Sequence, residues 1–449
     1  MEDLSCILFD TLDCIGYNQE MIKYRRRAWE NLTPIPTVKF TPITAGSKAE
    51  GISTLFQSDI DRMLILKDAI CTDKIGEVSK KSNMTVLHTD TSESPHGYTR
   101  LKVVSTNGQI SRLYLKDSMF ESESKDIYVS SSLFASNMKN FAMERFQDCN
   151  LSGPAVFSSC QQLTSQDTVL ALQCDASKIL QKWKSRRRLN SWPPAEVREV
   201  AASMLAEVVP VGSKGSCDQW REWRFCFIES ELKLTCSLNE TQIKLDIILK
   251  MVAKDILKNI SNEISSYIMK NVTFWLSELL QRVEFRKGNL LALLFLSLRF
   301  LRSCISQRYM PYYMIPGRNL LAERLTDDNR QKLSELLDAL LTEGPSLILR
   351  LPKLEAAMNV SLASPASIVE HRNRRDMIEK LHLDFGMCWL RHEEDLSYVS
   401  ILSRIPMLYD IVEKMCHLVM PDYGTCFNNR IPAEYYIAEM LERVKSILS

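Results

Sequence analysis

The sequence predicts an α+β protein, with short strands in its first half and helices in its second. Three observations predict this. Between residue 37 and about 175 the apolar residues come in short β-rich runs: VKFTPI, RMLIL, MTVLH, RLKVVS, RLYL, DIYVS and TVLALQC. Polar or glycine-containing turns separate them. After Trp192-Pro193-Pro194 the pattern becomes almost wholly helical, with Leu249, Val252, Ile256, Ile260 and Ile264 forming one stripe. Finally, 449 residues are too many for one small core and suit two fused lobes. A β-rich lobe joined to a helical lobe leaves a cleft, where ligand sites usually lie.

Along the chain, Leu4, Ile7, Leu8, Leu12, Ile15 and Ile22 recur at helical spacing over 3–30 and lead into Lys23-Tyr-Arg-Arg-Arg27. Thr33-Pro34 and Pro36 end that helix. One helical segment, 131–146, interrupts the strands, and the serine-rich stretch 117–125 reads as an exposed loop. Further helices are expected at 289–305, 328–343, 373–385 and 405–419, with Pro345, Pro352 and Pro365 punctuating the last section. This gives three expected units: 1–200 with the strands and the N-terminal helix, 201–345 helical, and 346–449 as a helical extension.

Composition is ordinarily globular, with 45% hydrophobic and 25% charged residues. The net charge is +1, so any nucleic-acid binding must come from local basic patches. The 13 cysteines are odd in number and form no CxxC pair, which argues for free thiols in a reducing compartment. The N-terminus is acidic where a signal peptide would be basic, and the apolar run 289–298 stops at Arg299, too short to span a bilayer. A cytoplasmic protein without a membrane partner is expected.

Acidic pairs at i, i+2 are common, and Glu121/Glu123 and Glu229/Glu231 are decoys. Context separates Asp59/Asp61: they lead into Met63-Leu64-Ile65-Leu66, so both carboxylates should share one face of a strand. Like charges this close repel unless a cation lies between them, though an exposed pair can simply be solvated. Just upstream, Gly46 lets backbone approach a phosphate, and Ser47 offers a hydroxyl and an N–H at the start of a short helix. A third carboxylate, Asp167, begins the run Thr168–Cys174, although it equally suits a turn cap. Three such groups can hold two magnesium or manganese ions, and Asp167 is placed to take a proton from an attacking ribose hydroxyl.

These residues resemble a known family. Gly46-Ser47 with Ser58-Asp-Ile-Asp61 is similar to the signature of the cGAS-like receptors, which share the Mab (male-abnormal twenty-one) domain. Ser152-Gly-Pro-Ala155, Asp167–Cys174, Trp192-Pro193, Trp223-Arg224-Phe225 with Glu229 and Glu231, Lys250, Ser265–Lys270, Met310-Pro-Tyr-Tyr313 and Asn319-Leu-Leu321 resemble further segments, in order, over roughly 40–325. The resemblance implies a bilobed nucleotidyltransferase with a long N-terminal spine helix. Such an enzyme, activated by nucleic acid, joins two nucleoside triphosphates, ATP, GTP or others, into a cyclic dinucleotide messenger of innate immunity. It also implies roles: Tyr267 stacking on a base, Ser265, Ser266 and Lys250 on phosphate, and Arg224 facing the other base.

Cys226 stands where the family often has serine, which leaves the choice of base open. The zinc thumb of the vertebrate DNA sensor is missing, so no structural zinc is expected. Lys23, Arg25, Arg26 and Arg27, and Lys182, Lys184, Arg186, Arg187 and Arg188, form two basic clusters where the family contacts nucleic acid. Either cluster is also what a solvated face looks like. Without the thumb, double-stranded RNA is favoured over DNA as the activator, and a ligand-dependent oligomer is compatible with the sequence. A catalytically silent Mab-domain scaffold and a linear oligonucleotide synthase are the competing readings.

Overall fold

The computed structural model describes residues 1–74, 84–106, 115–145, 149–152, 155–159, 165–363, 365–390, 406–420 and 433–448. Among these residues eleven strands make one mixed sheet: β1 Phe40–Ala45, β2 Ile60–Thr72, β3 Thr85–Asp90, β4 Tyr98–Thr106, β5 Met119–Glu121, β6 Ile127–Val129, β7 Cys149–Ser152, β8 Ala155–Ser159, β9 Ser165–Asp175, β10 Ala206–Val209 and β11 Glu222–Cys226. The order is β1-β2-β3-β4-β11-β10-β9-β8-β7, and β2 also pairs with β9 in parallel along its length. Both faces of β2 are covered. Leu66, Ala69 and Cys71 join the main core, whereas Met63 and Ile65 pack with Ala171 and Val209. A strand buried on both faces reads as a continuous apolar run, as Met63–Leu66 does.

Two expectations need correction here. The sheet does not end before Trp192: β10 and β11 follow it and close the path between β9 and β4, so the boundary at 200 falls inside the sheet unit, which extends to Cys226. These strands are short, and Glu207, Glu222 and Arg224 interrupt their apolar pattern even though Glu207 and Glu222 are buried. Part of the serine-rich stretch is also strand, since β5 pairs with β6. The expected RLYL strand falls on 112–115, of which 112–114 lie outside the described residues.

The N-terminal helix is not continuous either. It breaks between Glu2–Leu12 and Gln19–Asn31, where Gly16 adopts a left-handed φ of +91° and Asn18 caps the second helix by accepting from the Met21 amide at 2.9 Å. A Cβ at Gly16 would lie 1.8 Å from the Arg375 guanidinium, so the break is also where the C-terminal section packs.

Helices Leu290–Ser306 and Asp327–Glu343 lie close to their expected positions, but the stripe from Leu249 to Ile264 is not one helix: Glu240–Met251 passes through a widened turn over Val252–Ile256 and a tight turn over Leu257–Asn259, and the next helix is Ser266–Leu279. The span Lys287–Ser306 is long and apolar enough to cross a membrane by length and composition, but Leu290, Leu294, Leu298 and Leu301 lie in the main core. Helix Pro365–Leu390 packs against the second N-terminal helix, and Pro406–Val419 and Ala433–Leu448 pack on Pro365–Leu390 and on each other. Ala28, Trp29 and Leu32 share a separate core there with Ile378, Leu383, Val412 and Met440.

Candidate active site

Strand register brings the predicted carboxylates together. Antiparallel pairing sets Ala45 opposite Asp61, and parallel pairing sets Asp61 opposite Asp167. Neighbouring strands lie about 4.8 Å apart, and residues in register point the same way. Asp59 stands just before β2 and its Oδ1 accepts from the Ser165 hydroxyl, at the start of β9. The chain leaving β1 turns directly into Gly46–Ala49 beside Asp61.

Gly46 has φ +62°, and a Cβ built there would fall 2.0 Å from Asp61 Oδ2. Replacing it with alanine is expected to destabilise the protein by about 1–3 kcal/mol from left-handed strain and the displaced carboxylate. Circular-dichroism melting checks the stability, and nucleotide turnover should fall with the loss of Asp61 placement.

A cavity of about 370 Å³ is lined by Gly46, Ser47, Asp59, Asp61, Lys250, Ser266 and Tyr267, with Glu50, Asp246 and Lys270. It joins the β1–β2 turn to the helices Glu240–Met251 and Ser266–Leu279. Burial, then the neighbouring Asp167, pushes the Asp61 carboxyl up to about 6, against the pull of Lys250. Burial, then Asp59, raises Asp167 as well. Asp246 is pushed up to about 7 by burial and then by Glu50. Burial lowers the Lys250 ammonium, which Glu50, Asp246 and Asp61 favour; its buried Nζ has no hydrogen-bond partner.

The donor set suits a hard divalent cation. It offers carboxylate oxygens only, two of the carboxyls are held above their usual range, and Asp167 Oδ1 is buried without a hydrogen-bond partner. Among the described residues no three His, Cys, Asp or Glu side chains form a ready metal cage. Water or phosphate oxygens would therefore have to complete the coordination.

Tyr267 lies in the first turn of Ser266–Leu279 and borders two cavities, the acidic one and a second of about 330 Å³ that contains Arg224, Cys226, Ser265 and Arg318. Its hydroxyl donates to Glu231 at 2.9 Å, as does that of Tyr312 at 2.6 Å. Lys270 bridges Glu231 at 2.5 Å and Glu50 at 3.0 Å. Burial works against the Glu231 carboxylate, but Lys270 outweighs it and holds that carboxyl low. Glu231, dismissed above as part of a decoy pair, thus orients Tyr267. The resemblance around Trp223-Arg224-Phe225, which takes in Glu229 and Glu231, was the signal that could have found it.

The basic clusters divide. Arg25 is wholly buried, bonded to Glu379 at 2.7 Å and donating to the Gly16 carbonyl, so it faces no solvent and cannot meet nucleic acid. Arg26 is half-buried and donates to the Glu50 carbonyl at 2.8 Å. Arg186 is ion-paired to Glu278 at 2.6 Å and stacks over Trp275 and Tyr313. Arg188 donates to the Trp183 and Lys184 carbonyls, and Lys184 pairs with Glu199. Lys23, Arg27, Lys182 and Arg187 remain exposed.

A family model described as the Mab-21 protein HhH/H2TH-like domain matches residues 241–339. That span holds Lys250 and Ser265–Lys270, and it likens this part of the chain to Mab-21 proteins. No curated protein matches the chain.

Proposed function

We propose that this chain is a metal-dependent nucleotidyltransferase of the cGAS-like type, built as a sheet lobe and a helical lobe with the acidic cavity between them. The observation that carries the reading is the register of Asp61 with Asp167 beside Gly46, whose missing side chain leaves Asp61 room. In this reading two nucleoside triphosphates are joined into a cyclic dinucleotide within the cytoplasm, as part of antiviral defence.

Asp59, Asp61 and Asp167 would hold magnesium or manganese. When bound, the ions would make a ribose hydroxyl more acidic and offset charge on the leaving pyrophosphate. The chain's own groups do the rest. Ser47, the Gly46 backbone and Lys250 line the cavity where phosphates would lie. Asp167 Oδ1, buried and unpartnered, is free to take the hydroxyl proton. Tyr267, fixed through Glu231, offers a ring face to a base, and Arg224 stands in the adjoining cavity for the second base.

The trigger we propose is double-stranded RNA, bound through the exposed Lys23, Arg27, Lys182 and Arg187. The double variant Lys23→Ala with Arg27→Ala should lower the slope of log affinity against log salt by about two, one per lost phosphate contact. Arg186→Ala, whose side chain is engaged internally, should leave that slope unchanged. Fluorescence anisotropy with a labelled duplex measures both. Mass analysis of the product made from the four nucleoside triphosphates with RNA or DNA tests the reaction. A single cyclic dimer agrees with it, a ladder of linear products indicates an oligonucleotide synthase, and no product with any nucleic acid contradicts it.

A further inference from the structure

Beside the acidic cavity lies a larger one, of about 720 Å³, with the opposite charge. Lys250, Lys254, Lys258 and Lys445 line it against a single carboxylate, Asp59. The acidic cavity has Glu50, Asp59, Asp61 and Asp246 against Lys250 and Lys270. The two share Ser58, Asp59, Lys250 and Ser266, so one continuous surface runs from a cation-seeking end to an anion-seeking end. A divalent cation chelated by an oligophosphate has this charge order.

Three of the lysines come from one stretch, Lys250 at the end of Glu240–Met251 and Lys254 and Lys258 in the turns after it. Lys250 Nζ is buried without a hydrogen-bond partner, which is costly unless an anion or water reaches it. The fourth lysine comes from elsewhere. Lys445 belongs to the helix Ala433–Leu448, in the C-terminal extension whose role the sequence did not suggest. That helix is anchored at its end, where the Leu448 carbonyl accepts from Thr54 Oγ1 at 3.4 Å, a few residues before Asp59. Lys445 itself is exposed at the cavity.

We infer that the C-terminal helix completes an oligophosphate subsite, with Lys445 joining Lys254 and Lys258 around the terminal phosphates of a nucleoside triphosphate. The inference rests on the nucleotidyltransferase reading and adds to it a role for the extension. Lys445 is a binding residue here: it lies on the anion side of the shared surface, away from Asp61.

The test is calorimetric titration of the full-length protein, in magnesium, with ATP, AMP and inorganic tripolyphosphate. Lys445→Ala should weaken ATP and tripolyphosphate about three- to tenfold and AMP less than twofold, as expected for one partly exposed charge contact. Lys445→Glu should weaken the first two further, and Lys445→Arg should restore them. In turnover, Lys445→Ala should raise KM and leave kcat near that of the parent. Unchanged ATP and tripolyphosphate affinity in Lys445→Ala and Lys445→Glu, with the parent binding both ligands, overturns this inference alone. Equal weakening of AMP also overturns it. A parent protein that binds none of the three overturns both the inference and the nucleotidyltransferase reading.

Discussion

Replacing Asp61 by asparagine is expected to abolish nucleotidyl transfer while making the metal-free protein more stable. The carboxyl is buried beside Asp167 and held at about 6 from a usual 3.8. A raised folded-state pKa means that the native protein binds more protons than the unfolded chain between pH 3.8 and about 6. Native stability therefore falls as pH rises through that window, and the full deficit is present above it. Asparagine carries no charge to bury, so about 1–3 kcal/mol should be recovered at pH 7. Activity should fall about a thousandfold or more, since one cation ligand is lost. Differential scanning calorimetry at pH 7 without divalent ions, beside a turnover assay, measures both. A variant that is destabilised as well as inactive would mean that Asp61 serves the fold rather than the reaction.

The second large effect lies away from the cavity, at the contact between the N-terminal helix and the C-terminal extension. Arg25 and Glu379 are both fully buried and meet at 2.7 Å. Arg375 reaches Glu379 at 3.2 Å, and Asn18 donates to Asp376 at 2.8 Å. Burial penalises the Glu379 carboxylate, but Arg25 more than compensates and brings it to about 2. Removing Arg25 takes away the nearer partner of a fully buried carboxylate and leaves it only Arg375, so Arg25→Ala is expected to cost about 3–5 kcal/mol in urea unfolding. Arg25→Met together with Glu379→Leu should recover most of that loss. The Glu379 contribution should be present above pH 4.5 and disappear as pH falls towards 2, because its folded-state value is depressed. A loss below about 1 kcal/mol in Arg25→Ala would return that residue to the pool of surface cations.

Arg25 also marks the limit of sequence reading. Within Lys23-Tyr-Arg-Arg-Arg27 residue type does not distinguish the buried arginine from the exposed one, and the partner that permits burial, Glu379, lies 354 residues away in the chain. Helical period alone could have put Arg25 on the face of Met21, Ile22, Ala28 and Trp29, all buried. The break at Gly16 was hidden because apolar spacing continues through Ile15 and Ile22. Strands β10 and β11 were hidden for a different reason: charged residues interrupt them, with Glu222 satisfied by the Ser213 amide and the Ser216 hydroxyl and Glu207 buried with one carboxyl oxygen unpartnered.

The carboxylates were legible because their geometry is local. Asp59 and Asp61 open a strand whose apolar run is unmistakable, and Asp167 opens another, so pairing two parallel strands at their starts brings the aspartates together. Ser265–Lys270 was legible as a segment, but its contacts with Glu231, Tyr312 and Glu50 join parts of the chain far apart in sequence. The C-terminal helix gave no indication that it would reach the basic cavity. Such long-range placement comes from packing of the whole chain.

The central claim, that these aspartates form a nucleotidyltransferase site, is tested most directly by a labelled-nucleotide reaction run against a titration of magnesium or manganese. The full-length protein, the four nucleoside triphosphates and double-stranded RNA are incubated, then treated with phosphatase. The account predicts a phosphatase-resistant product that requires the divalent ion and is lost in Asp59→Ala and Asp61→Asn. Resistant product undiminished in those variants, or no product at any ion concentration with RNA or DNA, would contradict it.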